Sequence, residues 1–573
     1  MNKLQRDDSA IYIDFRYNTI PEFRVANPER FMKIVSGPIA WSIFLYIVIV
    51  LAAVMPIWSI RNFAVQDGAA HVYNAFLLSE YLKGDPAIGS WLTLNTLTVP
   101  NSGGHWLLVI LLQFFTGFTS MKLMTTACYA AFVAAVSGLR YQVAGEHDLP
   151  SGVLLAGVLG FNWFWFGGFY NFNVGIILFV LLNAICFRWR DNVSLKRAAV
   201  VSLILLATYL SHFASFGLAA GSVFLFALFS RSNDRRRNLK YFFLSVAPSI
   251  TFAIAFRLLT SSDAEGLHPT WRWLSQSTSI SGALTGLLID PFIIISRRSL
   301  PFIDLNSNLF AIFSPGLWTT VSLILLGSSL VRRLWRREQA DNSKLPFLVF
   351  LLLSIIGALI SPDDLGISNG GIFRERMLLS GFCLFVPLFD VQYSLIVKRA
   401  AQALLLYVIA FQSVALWDYG RRTELAVTPV EAAQSQIADT DTVATIVMIK
   451  DGYRFHSIPE PQLGLLTSIG KKTILLDNYE MGHYVFPLIP RDPSDRRFIR
   501  KMAEAHAFVL NGPQNEFDTT LAKLNDCLVT DHQRFTKIIL IGSEPRVEAE
   551  LYKWFDPQPI YDSDGVRILR HKN

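Results

Sequence analysis

A train of apolar runs between residues 37 and 417 limits this chain to one class of fold. Most of these runs approach or reach the roughly 17–25 residues that a helix needs to cross a bilayer. The candidate spans are 37–58, 104–119, 121–138, 149–166, 171–187, 197–211, 213–230, 241–259, 313–331, 345–361, 376–390 and 400–417. A further segment, 279–296, is apolar but interrupted, and reads as interfacial or re-entrant. Only 17% of residues are charged, against about 25% in soluble domains. The deficit falls wholly in the apolar train, since 1–36 and 418–573 have ordinary polar sequence. The expected fold is an all-α polytopic membrane domain over 37–417, with about 11–13 transmembrane helices. A small soluble α/β domain over 418–573 follows it.

Charge sets the expected topology. Lys and Arg gather on cytoplasmic loops. The clusters here are Arg188 to Arg190 with Lys196 and Arg197, Arg231 to Lys240, Arg332 to Arg337, and Lys398 with Arg399. With all of them cytoplasmic, the loop 260–312, the loop 361–376 and the domain 418–573 fall outside the cytoplasm. Residues 1–36 lack the early apolar core of a signal peptide, so they read as a cytoplasmic segment before an uncleaved anchor. The net charge of +7 follows from these clusters and gives no reason to expect nucleic-acid binding. The four cysteines, Cys128, Cys186, Cys383 and Cys527, have no metal-like spacing. Five apolar segments lie between the N-terminus and Arg188, and an even number is needed. Either one of the segments in 104–187 is partial or re-entrant, or a further span lies before Arg188. The run Phe161 to Asn173, with Gly167 and Gly168 at its centre, reads as a broken helix. Such backbone is tolerated at membrane depth only against protein or a water-filled cavity.

The tail alternates β-rich runs (442–449, 472–476, 507–510, 537–541, 565–569) with helical patterns at 495–505 and 515–528. That alternation predicts a partly parallel sheet. The tail holds no Gly-rich phosphate loop and no nucleophile elbow.

The residues that stand out chemically lie just after the first span, in the outer loop 59–103. Asp67 and His71 are four apart, on one face if 66–83 is helical. Asp67 can serve as a general base tuned by partial burial. It can equally cap the next helix at an Asp67-Gly68 turn, or join His71 and His105 around a divalent metal. His105 opens the second span and His212 lies at the end of its own. Ionisable groups at membrane depth mark sites, although both can be interfacial caps. The loop 361–376 brings Arg374, Glu375 and Arg376 to the mouth of a span. A guanidinium fork suits phosphate, while pairing with Glu375, Asp363 or Asp364 is the plainer role.

With Asp67 in a long first outer loop, the spans 37–417 and the tail 418–573, the chain resembles the C-type glycosyltransferase (GT-C) superfamily of polytopic membrane enzymes. The superfamily usually carries two acidic residues close together, whereas this chain has Asp67 alone. The resemblance implies transfer of a sugar from a polyprenyl-phosphate-linked donor to a glycan, lipid or protein acceptor, outside the cytoplasm and at the inner membrane. It implies Asp67 as general base, with inversion at the anomeric carbon. His71, His105, His212, Arg374, Glu375 and Arg376 would bind the substrate. No metal ligand set is assigned, though a divalent metal is compatible with the pattern. Three other readings remain open. The first is a transporter or flippase for lipid-linked sugars, a class in which internal repeats are common; none is found here. The others are a non-catalytic subunit of a polysaccharide export complex and a lipid-linked sugar ligase.

Overall fold

The computed structural model describes residues 37–229, 235–260, 269–270, 321–322, 342–362, 371–388, 394–449, 460–510 and 512–572. The expected segment 1–36, all of the span 313–331 but 321–322, the apolar piece 279–296 and the acidic pair Asp363 and Asp364 lie outside them.

The first part is helical, and the chain is an integral membrane protein. Five described helices are long and apolar enough to cross a membrane: Pro38–Ser59 (α1), Gly117–Ala144 (α5), Tyr170–Trp189 (α8), Arg235–Thr260 (α11), and a long helix beginning at Leu395. Between α1 and α5 lie Gly68–Leu82 (α2), Pro86–Trp91 (α3), the strand Leu92–Leu94 (β1) and Gly103–Leu112 (α4). The loop 59–103 is thus largely ordered structure. At 1.5 Å per residue, the ten residues of α4 rise only about 15 Å. That is half the hydrocarbon thickness, so α4 is shorter than the expected span 104–119, as the helix Leu149–Gly160, with 12 residues, is shorter than 149–166.

The aromatic run is broken as its glycines predict. Helix α6 (Leu149–Gly160) ends, Asn162 caps the single turn Trp163–Phe166 (α7) through the N–H of Trp165, and α8 starts at Tyr170. Helices Leu195–Ser211 (α9) and Phe213–Leu228 (α10) lead to α11, and Leu345–Ile360 (α12) packs against Phe373–Phe385 (α13). The last membrane helix, α14, continues without a break from Leu395 to Ala433, past the expected boundary at 418.

The tail folds as an α/β unit. Strand β2 (Thr442–Ile449) is central and almost wholly buried, as a run apolar on both faces should be. It pairs in parallel with β3 (Ile474–Leu475), β5 (Ala507–Val509) and β6 (Lys537–Ile541). Strand β8 (Val566–Arg570) adds antiparallel to β6, and β7 (Tyr561–Ser563) pairs with β8. Helices Pro493–Ala503 and Gln514–Asp531 pack beside the sheet.

The tail is fastened to the loop after α1. Strand β4 (Leu488–Pro490) pairs with β1, in register from Leu92↔Pro490 to Leu94↔Leu488. Asn74 and Asn478 exchange side-chain hydrogen bonds of 3.1 and 2.8 Å. The Tyr73 hydroxyl donates to the Thr473 carbonyl at 2.6 Å and accepts from the Leu475 N–H at 3.3 Å. Tyr73→Phe leaves both backbone groups buried and unpaired, which costs about 1–3 kcal/mol. A lower thermal unfolding midpoint is expected, and an unchanged midpoint would remove this contact from the docking interface.

Candidate active site

Asp67 stands at the N-terminus of α2, yet its carboxylate does not cap the helix. The capping role weighed from sequence is therefore replaced by another. Oδ2 accepts a hydrogen bond from the Tyr479 hydroxyl at 3.3 Å, across the junction with the tail. The backbone of Asp67 is held from below, its N–H donating to the Gly167 carbonyl at 2.9 Å. Gly168, at φ +75°, packs directly against Gly68. The broken aromatic segment therefore supports the loop that carries the acid.

Asp67 lines a cavity of about 280 Å³ together with His71, His212, Arg376, Tyr479 and His483. Phe169, Phe172, Val485 and Phe486 supply apolar wall, while Asn101 and Asn171 add polar groups. A concave, mainly pre-formed site with a few convergent polar groups is the usual form of a small-molecule site. Burial pushes the Asp67 carboxyl up to about 6; Glu480 adds to the rise, while His71 and the Tyr479 and Gln66 hydrogen bonds oppose it.

His71, one turn after Asp67, faces Glu480 from the short tail helix Tyr479–Gly482 (α15), with Nδ1 2.5 Å from Oε1. His105 Nε2 lies 2.7 Å from Glu480 Oε2 and 3.4 Å from His71 Nδ1. Burial works against charge on both Glu480 and His71, but their mutual attraction outweighs it. Glu480 is held at about 2, with His105 contributing, and His71 is raised. Behind His105, Asn171 Nδ2 approaches Nδ1 at 3.4 Å while its Oδ1 accepts from the Gly104 N–H at 2.7 Å. Among the described residues, the three metal-capable side chains that converge are His71, His105 and Glu480. The set weighed from sequence, Asp67 with His71 and His105, is not the one the fold assembles.

His212 caps α10, its Nδ1 accepting from the Ser215 N–H at 3.4 Å, and also lines the cavity beside Phe172. Capping and lining are thus combined in one residue. The two arginines separate. Arg376 reaches the cavity, its guanidinium 5.4 Å from the Phe172 ring and 5.8 Å from that of Phe164. It makes no salt bridge among the described residues, and its buried Nε has no hydrogen-bond partner there. Arg374 turns away, its Nε donating to the Ala358 carbonyl of α12 at 3.0 Å. Neither Arg374 nor Glu375 lines the cavity, and His105 lies behind its wall. Ile372, at φ +62°, sits on the cavity rim. A β-branched residue there is strained, as at many ligand sites.

Tyr479, Glu480, His483 and Phe486 were not anticipated as site residues. A usable signal was the run Asp477 to His483, which places two acids, an amide, a tyrosine and a histidine directly after a short strand.

No protein-family model matches the chain, and no curated protein matches its sequence. Solved structures with a similar arrangement include ArnT from Cupriavidus metallidurans in the apo state, at a TM-score of 0.41 and 10% identity over 92% of this chain and 97% of that one. The same ArnT bound to undecaprenyl phosphate gives 0.39 and 10% over 92% and 98%. The Archaeoglobus fulgidus oligosaccharyltransferase tethered with an acceptor peptide gives 0.45 and 9% over 94% and 75%.

Proposed function

We propose that this protein is an inverting membrane glycosyltransferase. It takes a sugar from a polyprenyl-phosphate-linked donor and passes it to an acceptor hydroxyl on the non-cytoplasmic side. One observation carries the reading. A buried carboxylate not used for capping, Asp67, shares a cavity with a buried guanidinium that has no salt-bridge partner among the described residues, Arg376. One can take a proton and the other can receive an anion.

In this scheme the acceptor oxygen attacks the anomeric carbon while Asp67 removes its proton. The bond from that carbon to the phosphate oxygen breaks, and polyprenyl phosphate leaves with the electron pair. Arg376 stabilises the charge that grows on the departing phosphate, as fixed donors do best in a water-poor site. His212 and His71 line the same space and orient sugar and phosphate. Tyr479 orients the Asp67 carboxylate. The apolar wall of Phe169 and Phe172 suits a sugar face or the start of a lipid chain.

The test is an assay on purified protein with radiolabelled polyprenyl-phosphate sugars and a panel of glycan, lipid and peptide acceptors. Transfer yields labelled acceptor and free polyprenyl phosphate. A transporter would move the intact donor across a vesicle membrane and form neither product. Arg376→Ala is expected to weaken donor binding roughly 10- to 100-fold, since a hydrogen bond to a charged group contributes about 1.5–3 kcal/mol. Arg374→Lys should leave donor affinity unchanged. Equal losses in both variants would remove Arg376 from its role.

A further inference from the structure

We propose that His71, His105 and Glu480 form a zinc site that staples the C-terminal domain to the first loop of the membrane domain. The three side chains come from three elements, α2, α4 and α15, and are only 4%, 1% and 1% exposed. Their ligand atoms all lie within 4.8 Å of one another.

The imidazole pair has the spacing of zinc ligands, while the Glu480 oxygens, 2.5 and 2.7 Å from those nitrogens, draw back on binding to the roughly 3.3 Å between ligands of one zinc ion. Two imidazole nitrogens, His71 Nδ1 and His105 Nε2, face each other at 3.4 Å. Tetrahedral zinc with Zn–N bonds of about 2.0–2.1 Å sets its ligand nitrogens roughly 3.3 Å apart. Glu480 Oε1 approaches His71 Nδ1 at 2.5 Å, yet no donor is aligned on it as a hydrogen bond, although it is fully buried. That oxygen is engaged by charge and not by an aligned hydrogen bond, an arrangement in which a cation between the three groups can replace the imidazolium as its partner. The donor set also selects the metal. Two imidazoles and one carboxylate suit zinc, while magnesium, calcium and manganese favour oxygen. Three protein ligands leave a fourth position for water.

Without a metal, the same side chains form a hydrogen-bonded cluster. His105 Nε2 then donates to Glu480, and Asn171 Nδ2 donates to His105 Nδ1. In the zinc form the Nε2 lone pair binds the metal and Nδ1 carries the proton, so the Asn171 amide turns its oxygen toward Nδ1 and releases the Gly104 N–H. The two states differ in composition, so they can be told apart directly. This inference rests on the ligand geometry and stands whether or not Asp67 acts as a base.

Full-length protein purified in detergent without chelators is analysed for metals by inductively coupled plasma mass spectrometry. Wild type is expected to hold about one zinc per chain, and Glu480→Gln and His105→Ala below about a tenth of that, since loss of one ligand from a three-ligand set undoes tight binding. His212→Ala, which alters the cavity but not the cluster, should keep its zinc. Should the ligand variants fail to fold, wild type is stripped with a chelator and refilled. Zinc should then raise the unfolding midpoint where magnesium does not, and X-ray absorption should show nitrogen and oxygen neighbours without sulfur. Wild type that holds no zinc and takes up none after stripping overturns the proposal, leaving the hydrogen-bonded cluster. So does zinc retained in full by both ligand variants.

Discussion

Asp67→Asn should cut sugar transfer by about 10²–10⁴-fold, the usual contribution of a positioned general base, and leave donor binding nearly unchanged. The substitution keeps the shape of the side chain and can still accept from the Tyr479 hydroxyl, which lies 3.3 Å from Oδ2. It removes the negative charge and with it the capacity to take a proton. The acid limb of the pH profile gives a second and sharper test. A base works as its carboxylate, so turnover is low while Asp67 is protonated and rises as it ionises. Burial pushes that ionisation up to about 6, where an ordinary aspartate would ionise near 3.9. Wild-type turnover should therefore climb through about pH 6 and level off above it, and the limb should be missing from the residual activity of Asp67→Asn. A wild-type profile flat from pH 5 to 8, or full turnover in the variant, would exclude Asp67 as the base.

Much of the fold was legible because hydropathy in a membrane chain is a local signal. Most of the described apolar helices, the broken segment at Gly167 and Gly168 and five strands of the tail follow from runs of neighbouring residues, whereas α4 stops at Leu112, α14 runs on to Ala433, and the short strands β4 and β7 give no such signal. The site was legible on one side only. Asp67, His71, His212 and Arg376 stand out as ionisable groups in apolar surroundings. Tyr479 and Glu480 do not, because they are polar residues in a polar tail. Their partners are also remote in sequence, Tyr479 lying 412 positions after Asp67. The two arginines show a different limit. Residues two apart in a helix point about 200° apart at 3.6 residues per turn, so one of Arg374 and Arg376 had to turn away. Which one depends on the phase in which α13 leaves Ile372, and that is set by tertiary packing. The same argument covers Asp67 as a cap. An acid before a helix normally bonds the first free N–H groups, and here a tyrosine from another domain engages the carboxylate instead.

The support beneath Asp67 makes Gly168 the other position of large effect. At φ +75° a side chain is strained, by roughly 1–2 kcal/mol for a left-handed residue. Space is tighter still. A Cβ on Gly168 would lie 2.6 Å from Val65 Cγ2 and 2.9 Å from the backbone nitrogen of Gly68. The first neighbour can rotate away, but the second is the peptide that joins Asp67 to Gly68, so relief must come from that loop. A shift of about 1 Å in a reacting group can lower turnover about 10²-fold. Gly168→Ala is therefore expected to reduce kcat on that scale while KM for the donor stays near its wild-type value, because Arg376 reaches the cavity from α13 and does not depend on this loop. Gly84→Ala is the matched control. Gly84 has a similar φ of +79° but nothing within 4 Å of its Cβ, so it introduces backbone strain without displacing Asp67. A loss of kcat in both variants would trace the effect to general destabilisation. A loss confined to Gly168→Ala would trace it to the contact between the broken aromatic helix and the loop that carries the acid.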